Sequence, residues 1–195
     1  MTNLEKVQFG TRNNGALKPC PVCNSMAENL SNSKLGGYEL AKCVGCGLVF
    51  APKAIGESVN YESVYQSEDY LAQIRALLNR DGIREFLEHP AFINFFRMYP
   101  RAPVINHKLL DIGCGVGRFC YAAAKTGWQV RGIDASERAV EIGRSSADLL
   151  LSTETLDDLF EAGEKFDFVC TFEVLEHLDD PVSFLKSTKR LMKPG

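Results

Sequence analysis

The feature that most constrains this chain is one short turn, Asp111-Ile112-Gly113-Cys114-Gly115-Val116-Gly117-Arg118, set between an apolar run and a helix-forming run. His107 to Ile112 reads as a buried strand, and Val116 to Lys125 as a helix that stops at Gly127. The glycines permit positive φ and let a ligand lie against bare backbone. The helix N-terminus that follows offers free N–H groups and a partial positive charge to an anion. The spacing is that of the G-x-G-x-x-G fingerprint, except that Arg118 holds the sixth position and the third glycine comes one residue early. Gln129 to Ile133 reads as a second strand. Asp134 ends it, 21 residues after Gly113, where a carboxylate can take both hydroxyls of a ribose. The alternation continues. Ser136 can cap a helix to about Arg144, Asp148 to Leu151 and Phe166 to Phe172 form the third and fourth strands, and Asp180-Pro181 opens a last helix. Strands and helices in that order imply an α/β fold with a parallel sheet, binding its ligand at the carboxyl ends of the strands.

Cysteines impose a second constraint, nearer the start. Of the seven, four form two pairs, Cys20-Pro21-Val22-Cys23 and Cys43-Val44-Gly45-Cys46, with 19 residues between them. An odd total without a signal peptide points to a reducing compartment, the cytoplasm, where such pairs serve as metal ligands. Each pair can aim two thiolates at one Zn²⁺ about 2.3 Å away, and together they complete a tetrahedron. Asn24 and Gly47 stand where the chain must bend after the second cysteine, and both tolerate positive φ. Tyr38 to Lys42 and Leu48 to Ala51 read as the two arms of a hairpin around the second pair. Four thiolates leave no open coordination position, so the metal is structural rather than catalytic. Cys114, Cys120 and Cys170 lie in apolar sequence and read as small fillers.

Between these regions, Glu57 to Arg101 is rich in helix formers and aromatics. Tyr70, Ile74, Leu77 and Leu78 recur at helical spacing, as do Phe92, Phe95, Phe96 and Tyr99, with Pro90, Pro100 and Pro103 as punctuation. These helices either pack the ribbon against the next domain or form an aromatic lid over a ligand. The organisation is therefore a zinc ribbon at residues 17–56, a helical connector or lid at 57–103, and a ligand-binding domain at 104–195. A hydrophobic share of 45% with 12 Phe supplies core material and excludes disorder. No apolar run approaches the roughly 20 residues that cross a bilayer, and the polar Met1 to Gly15 lacks a signal peptide's apolar stretch. A net charge of -3 gives no electrostatic footprint for nucleic acid.

Three stretches together carry a family resemblance: Leu109 to Gly117, Gly132-Ile133-Asp134-Ala135, and Phe166 to Val169 with Glu173-Val174-Leu175-Glu176-His177. They resemble class I S-adenosylmethionine-dependent methyltransferases, and the paired-cysteine hairpin looks like the zinc ribbon that precedes this domain in a bacterial subgroup. The resemblance implies a Rossmann-like sheet of which this chain holds the first four of seven strands. It further implies that Gly113, Cys114, Gly115 and Gly117 hold the methionine half of the cofactor. Asp111 would lie at its amino-acid end, Asp134 on the ribose and Ala135 beside the adenine. An acid after the third strand often reads the adenine amino group, and here Glu154, Asp157 and Asp158 are all candidates. Glu173, Glu176 and His177 follow the fourth strand at the mouth of the site. They can line the cofactor site, or His177 can act as base, since its ordinary pKa near 6.5 suits proton transfer. A third alternative is a divalent cation on the two-Glu-one-His set.

These observations imply methyl transfer to a small-molecule acceptor through an O, C or N atom, such as a sugar or another biosynthetic intermediate. An RNA-modifying enzyme gripping nucleic acid by its ribbon is an alternative. However, Lys18, Lys34, Lys42 and Lys53 against Glu28 and Glu39 leave the ribbon only two charges positive. A truncated, non-catalytic cofactor-binding module is the other alternative. Residues 104–195 number 92, room for about half of a catalytic domain. The fourth strand would then stand as an open apolar edge, available for pairing with a second copy.

Overall fold

The structure, a computed structural model, describes residues 19–35, 38–52, 67–79, 82–100, 106–178 and 180–194. Met1 to Gly15, Lys18, Lys53, Glu57, Pro103, Gly195 and the boundaries at residues 56/57 and 103/104 lie outside them, as do the side chains of Lys34, Tyr70, Leu77 and Leu78. The chain divides into two compact units, one with the cysteine-rich sheet and Glu176–Phe184, the other spanning Asn60–Leu175 and Leu185–Gly195.

In the first unit, β1 (Ala27–Leu35), β2 (Tyr38–Cys43) and β3 (Val49–Phe50) form an antiparallel sheet in that order. The β2–β3 turn is the second cysteine pair, and its hairpin matches the expected arms. The long β1 is an addition, since the polar run Asn29 to Lys34 carries no alternation by which to find it. Asn24 (φ 57°) and Gly47 (φ 77°) do adopt the left-handed bend expected after each pair.

The second unit contains α1 (Glu68–Asn79), α2 (Ile83–Leu87) and α3 (Ile93–Met98). These are followed by β4 (Lys108–Ile112), α4 (Arg118–Lys125), β5 (Gln129–Ile133), α5 (Glu137–Ala147) and β6 (Leu151–Ser152). After them come α6 (Leu156–Glu161) and β7 (Phe168–Thr171). A 3-10 turn at Leu175–His177 and α7 (Pro181–Arg190) close the element order. The strands make a parallel sheet ordered β6-β5-β4-β7, so the chain reverses direction of travel between β4 and β7. Ile112 is level with Ile133 and Thr171, and Ile133 with Ser152. The carboxyl ends of all four strands therefore stand in one row, and the loops leaving them meet at the switch point.

Several boundaries move for physical reasons. α4 starts at Arg118 rather than Val116 because Gly117, at φ 80°, is its left-handed N-cap. α5 runs on to Ala147 and is closed by Asp148 at φ 50°, which shortens the third strand to two residues. Ser136 caps α5 as expected, its hydroxyl accepting from Ala139 N at 3.2 Å. The fourth strand begins at Phe168, yet its edge is not wholly open. Phe166 pairs in parallel with Met192, its N–H donating to Leu191 O and its carbonyl accepting from Lys193 N, each at 2.9 Å.

The aromatic helices enter the core of this unit rather than standing clear of it. Phe119 of α4 has Phe92, Phe95, Phe96 and Phe172 around it, with ring centroids 4.6–5.4 Å away. Trp128 and Phe168 meet edge to face at 4.8 Å. Such pairs add about 0.5–1.5 kcal/mol each beyond the apolar area they bury.

Candidate functional site

The turn after β4 is drawn back across the end of β5. Gly113 N and Cys114 N both donate to Ile133 O, at 2.8 and 3.1 Å. Gly113, Gly115 and Gly117 all have positive φ, 76°, 54° and 80°. At Gly113 a Cβ would collide with Val174 Cγ2, and at Gly117 it would lie 2.6 Å from Leu149 Cδ1. Gly113 and Gly117 are thus required twice over, by conformation and by space. Gly113 and Gly115 line a cavity of about 160 Å³, together with His89, Phe92, Asp111, Phe172 and Glu173.

Two carboxyls sit under this loop in different states. Asp134, at the end of β5, accepts from Gly115 N at 2.7 Å and from Ser136 N at 2.9 Å, one bond to each oxygen. That ties the glycine loop to the strand and leaves further lone pairs on both oxygens. Asp111, at 2% exposure, has only the Cys120 thiol, 3.4 Å from Oδ2. Burial raises its pKa to about 7, and the Asp134 charge pushes the same way. Cys120 is therefore more than filler, since its S–H points at a buried carboxylate. Burial also pushes Cys170 up to about 12, so that thiol stays protonated.

Of the other expected residues, Glu173 reaches the cavity wall with a left-handed backbone, φ 57°, uncommon for a side chain with a Cβ. Glu176 and His177 lie in the exposed 3-10 turn, and neither is in the cavity lining. Ala135 is exposed next to Asp134. The acids after β6 are all engaged. Glu154 pairs with Arg131, Asp157 with Arg190 at 3.2 Å, and Asp158 caps α6 through Thr155 at 2.7 Å.

The cysteine-rich sheet holds the second candidate site. Sγ atoms of Cys20, Cys23, Cys43 and Cys46 all lie within 4.8 Å of one another. Cys20 and Cys46 are 3.7 Å apart, and Cys23 and Cys43 are 3.3 Å apart. A tetrahedron with Zn–S bonds of about 2.3 Å requires S···S separations of nearly 4 Å, so the quartet fits with small adjustment. Backbone N–H groups of Gly45 and Cys46 point at Cys43 Sγ, each at 3.3 Å, as donors do toward a thiolate. The Ser25 hydroxyl and N–H lower Cys23 to about 6. Cys46, despite a hydrogen bond from Leu48, is pushed up to about 12 by the neighbouring Cys23 and Cys43 sulfurs. Crowded thiols divide in this way when no cation shares their charge. Among the described residues no other group of three or more metal-binding side chains comes together.

Residues 70–195 match the methyltransferase-domain family. The chain belongs to that family. The methyltransferase match takes in α1 from Tyr70 onward together with α2 and α3, so the aromatic helices fall within it. The chain is 41% identical over 98 residues to the ubiquinone biosynthesis O-methyltransferase of Ruegeria pomeroyi, covering 48% of this chain and 40% of that one. The enzyme of the same description from Brucella anthropi is 42% identical over 107 residues, 51% of this chain and 43% of that one. The chain thus spans about two fifths of the length of the curated relatives it matches. A solved S-adenosylmethionine dependent methyltransferase from Mesorhizobium loti is similar at 23% identity and TM-score 0.46, covering 56% of this chain and 52% of that one.

Two features of the methyltransferase escaped sequence reading. The first is α6, signalled by Thr155-x-x-Asp158, a capping box in which each side chain bonds the other's backbone. The second is His89, which lines the cavity beside Arg118. No local pattern marks it, because its partners lie about 30 residues downstream.

Proposed function

We propose that this methyltransferase domain binds S-adenosylmethionine on the β4 glycine loop and directs its methyl group to an oxygen of a small-molecule acceptor. The observation that carries this reading is the arrangement at the switch point. A bare glycine backbone, the Asp134 carboxylate and the Glu173 wall converge on one row of strand ends. Asp134 keeps free lone pairs for both ribose hydroxyls, and exposed Ala135 leaves room for the adenine. Gly113, Cys114, Gly115 and Gly117 face the methionine half, with Asp111 beneath its amino-acid end. Since Glu154, Asp157 and Asp158 already have partners, the adenine edge meets backbone or solvent in preference to a free carboxylate.

The bound sulfonium brings an already activated methyl, so the protein's part is orientation and exclusion of water. The loop fixes the ligand, and the aromatic wall of Phe92 and Phe172 keeps the reacting end dry. An oxygen acceptor must lose its proton, and Glu173 at the cavity wall would supply the base. The oxygen acceptor is favoured by the relatives, both ubiquinone biosynthesis O-methyltransferases. Cys20, Cys23, Cys43 and Cys46 would hold one Zn²⁺ with a structural role. Three further thiols, all free, suit a reducing cytoplasm.

The deciding experiment is transfer of labelled methyl from S-adenosylmethionine into a fractionated metabolite extract, run with this chain and with any longer form. Label in a small organic fraction supports the reading. Cofactor binding with no transfer into any fraction would identify a non-catalytic binding module, and label in RNA would move the acceptor class.

A further inference from the structure

Two thiols meet underneath the glycine loop. Cys114 belongs to the turn itself, and Cys120 to the first turn of α4. A Cβ on Gly132 would lie 2.8 Å from both sulfurs, so the pair closes over the one position of β5 that has no side chain. The two thiols are hydrogen-bonded to each other. They differ in access. Cys114 is half-buried and lines the cavity, whereas Cys120 is 1% exposed. Behind Cys120 stands Asp111, its Oδ2 3.4 Å from the sulfur. The Cys120 contact favours the Cys114 thiolate, but burial and the Asp111 and Asp134 charges hold that thiol above its ordinary value. Burial foremost holds Cys120 well above its own. Both therefore keep their protons until a base takes one, and Asp111 is placed to do so. An accessible thiol backed by a second, buried one is the arrangement in which a sulfenic acid is resolved to a disulfide.

We propose that Cys114 and Cys120 form a dithiol modification site, oxidised by hydrogen peroxide to a disulfide that reshapes the glycine loop. The Cys114 sulfur attacks one peroxide oxygen, the O–O bond breaks, and Cys114 becomes a sulfenic acid as one water leaves. The Cys120 sulfur then attacks the Cys114 sulfur and the S–O bond breaks. The Cys120 proton passes by way of Asp111 to the departing hydroxide, which leaves as a second water. The thiols lose two electrons and two protons, and the peroxide takes up all of them. A cavity of about 160 Å³ suits an oxidant of this size. Joining the sulfurs draws Cys114 toward α4. Cys120 is fixed in a packed helix, so the loop gives way, and with it Gly113 and Gly115 in the cavity wall. That consequence for the ligand rests on the cofactor reading above. A reducing dithiol reverses the bond by exchange and restores the loop.

The test treats the full, zinc-loaded chain with hydrogen peroxide and digests it with trypsin. Cleavage after Lys108, Arg118 and Lys125 puts the two cysteines on separate peptides, Leu109 to Arg118 and Phe119 to Lys125. Mass spectrometry should find one species joining them, two hydrogens lighter than their sum and split by dithiothreitol. In Cys120→Ala that species should vanish, and dimedone should instead trap Cys114 as its sulfenic acid. S-adenosylhomocysteine, titrated by calorimetry, should lose affinity on oxidation and regain it with dithiothreitol. A chelated, unoxidised sample separates this loss from any effect of zinc release by oxidised ribbon thiols. No linked peptide, or a linked peptide with S-adenosylhomocysteine affinity unchanged, overturns the proposal. A chain that binds no S-adenosylhomocysteine before oxidation would defeat the cofactor reading instead, and the linked peptide alone would then decide the dithiol.

Discussion

Asp111, the penultimate residue of β4, has almost no access to water, and that fixes a sign for its effect on stability. An ordinary Asp ionises near 3.8, whereas burial moves this one to about 7. Between those values the folded chain holds a proton that the unfolded chain has released. Stability should therefore be greatest below about pH 4 as far as this group is concerned, and fall as pH rises toward 7, by up to about 4 kcal/mol. Asp111→Asn should flatten that fall in melting curves recorded from pH 4 to 8. A mutant still losing stability as steeply as wild type would place the charge elsewhere. Asp134 behaves differently, because two backbone donors already meet its oxygens. Asp134→Ala should weaken S-adenosylhomocysteine binding by about 10-fold or more through loss of charged hydrogen bonds. Undiminished affinity in a titration would refute the ribose assignment.

At the scale of elements, stability resides in how loops and helices are closed. Thr155 and Asp158 cap α6 reciprocally, so Thr155→Ala should cost about 0.5–2 kcal/mol in a denaturant midpoint. Phe119→Ala removes the ring on which Phe92, α3 and the β7 end converge, and should cost about 3–5 kcal/mol, read in the same way. What the sequence revealed also sorts by element. Order and type of β4, α4, β5 and α5 were legible, because apolar runs, the glycine turn and Ser136 are local signals. The end of α5 was not, since Asp148 adopts a left-handed cap that Asp permits without announcing. Short β6 and the unpatterned β1 are defined by their neighbours' hydrogen bonds. Of the site, the loop and Asp134 could be read from spacing. His89 could not, because only packing of α2 and α3 brings it to Arg118.

For the whole molecule, the two units should respond separately to metal removal. The cysteine-rich sheet has little apolar core of its own, Cys20, Ala41 and Cys43 being its buried apolar residues among those described. Metal binding would supply much of its folding energy. A zinc chelator should thus abolish the cysteine-rich sheet while S-adenosylhomocysteine affinity persists. Loss of that affinity on chelation would show that the ribbon supports the other site. The carbonyl of Ile133, which takes the N–H groups of both Gly113 and Cys114, bears on the time domain instead. Glycine-rich turns ordinarily release their amide protons within moments, yet these two, with Gly115 locked to Asp134, are fastened as firmly as the middle of a strand. In deuterated water they should exchange at the pace of β4 and β5, so that a stretch with the composition of a hinge keeps the clock of a core.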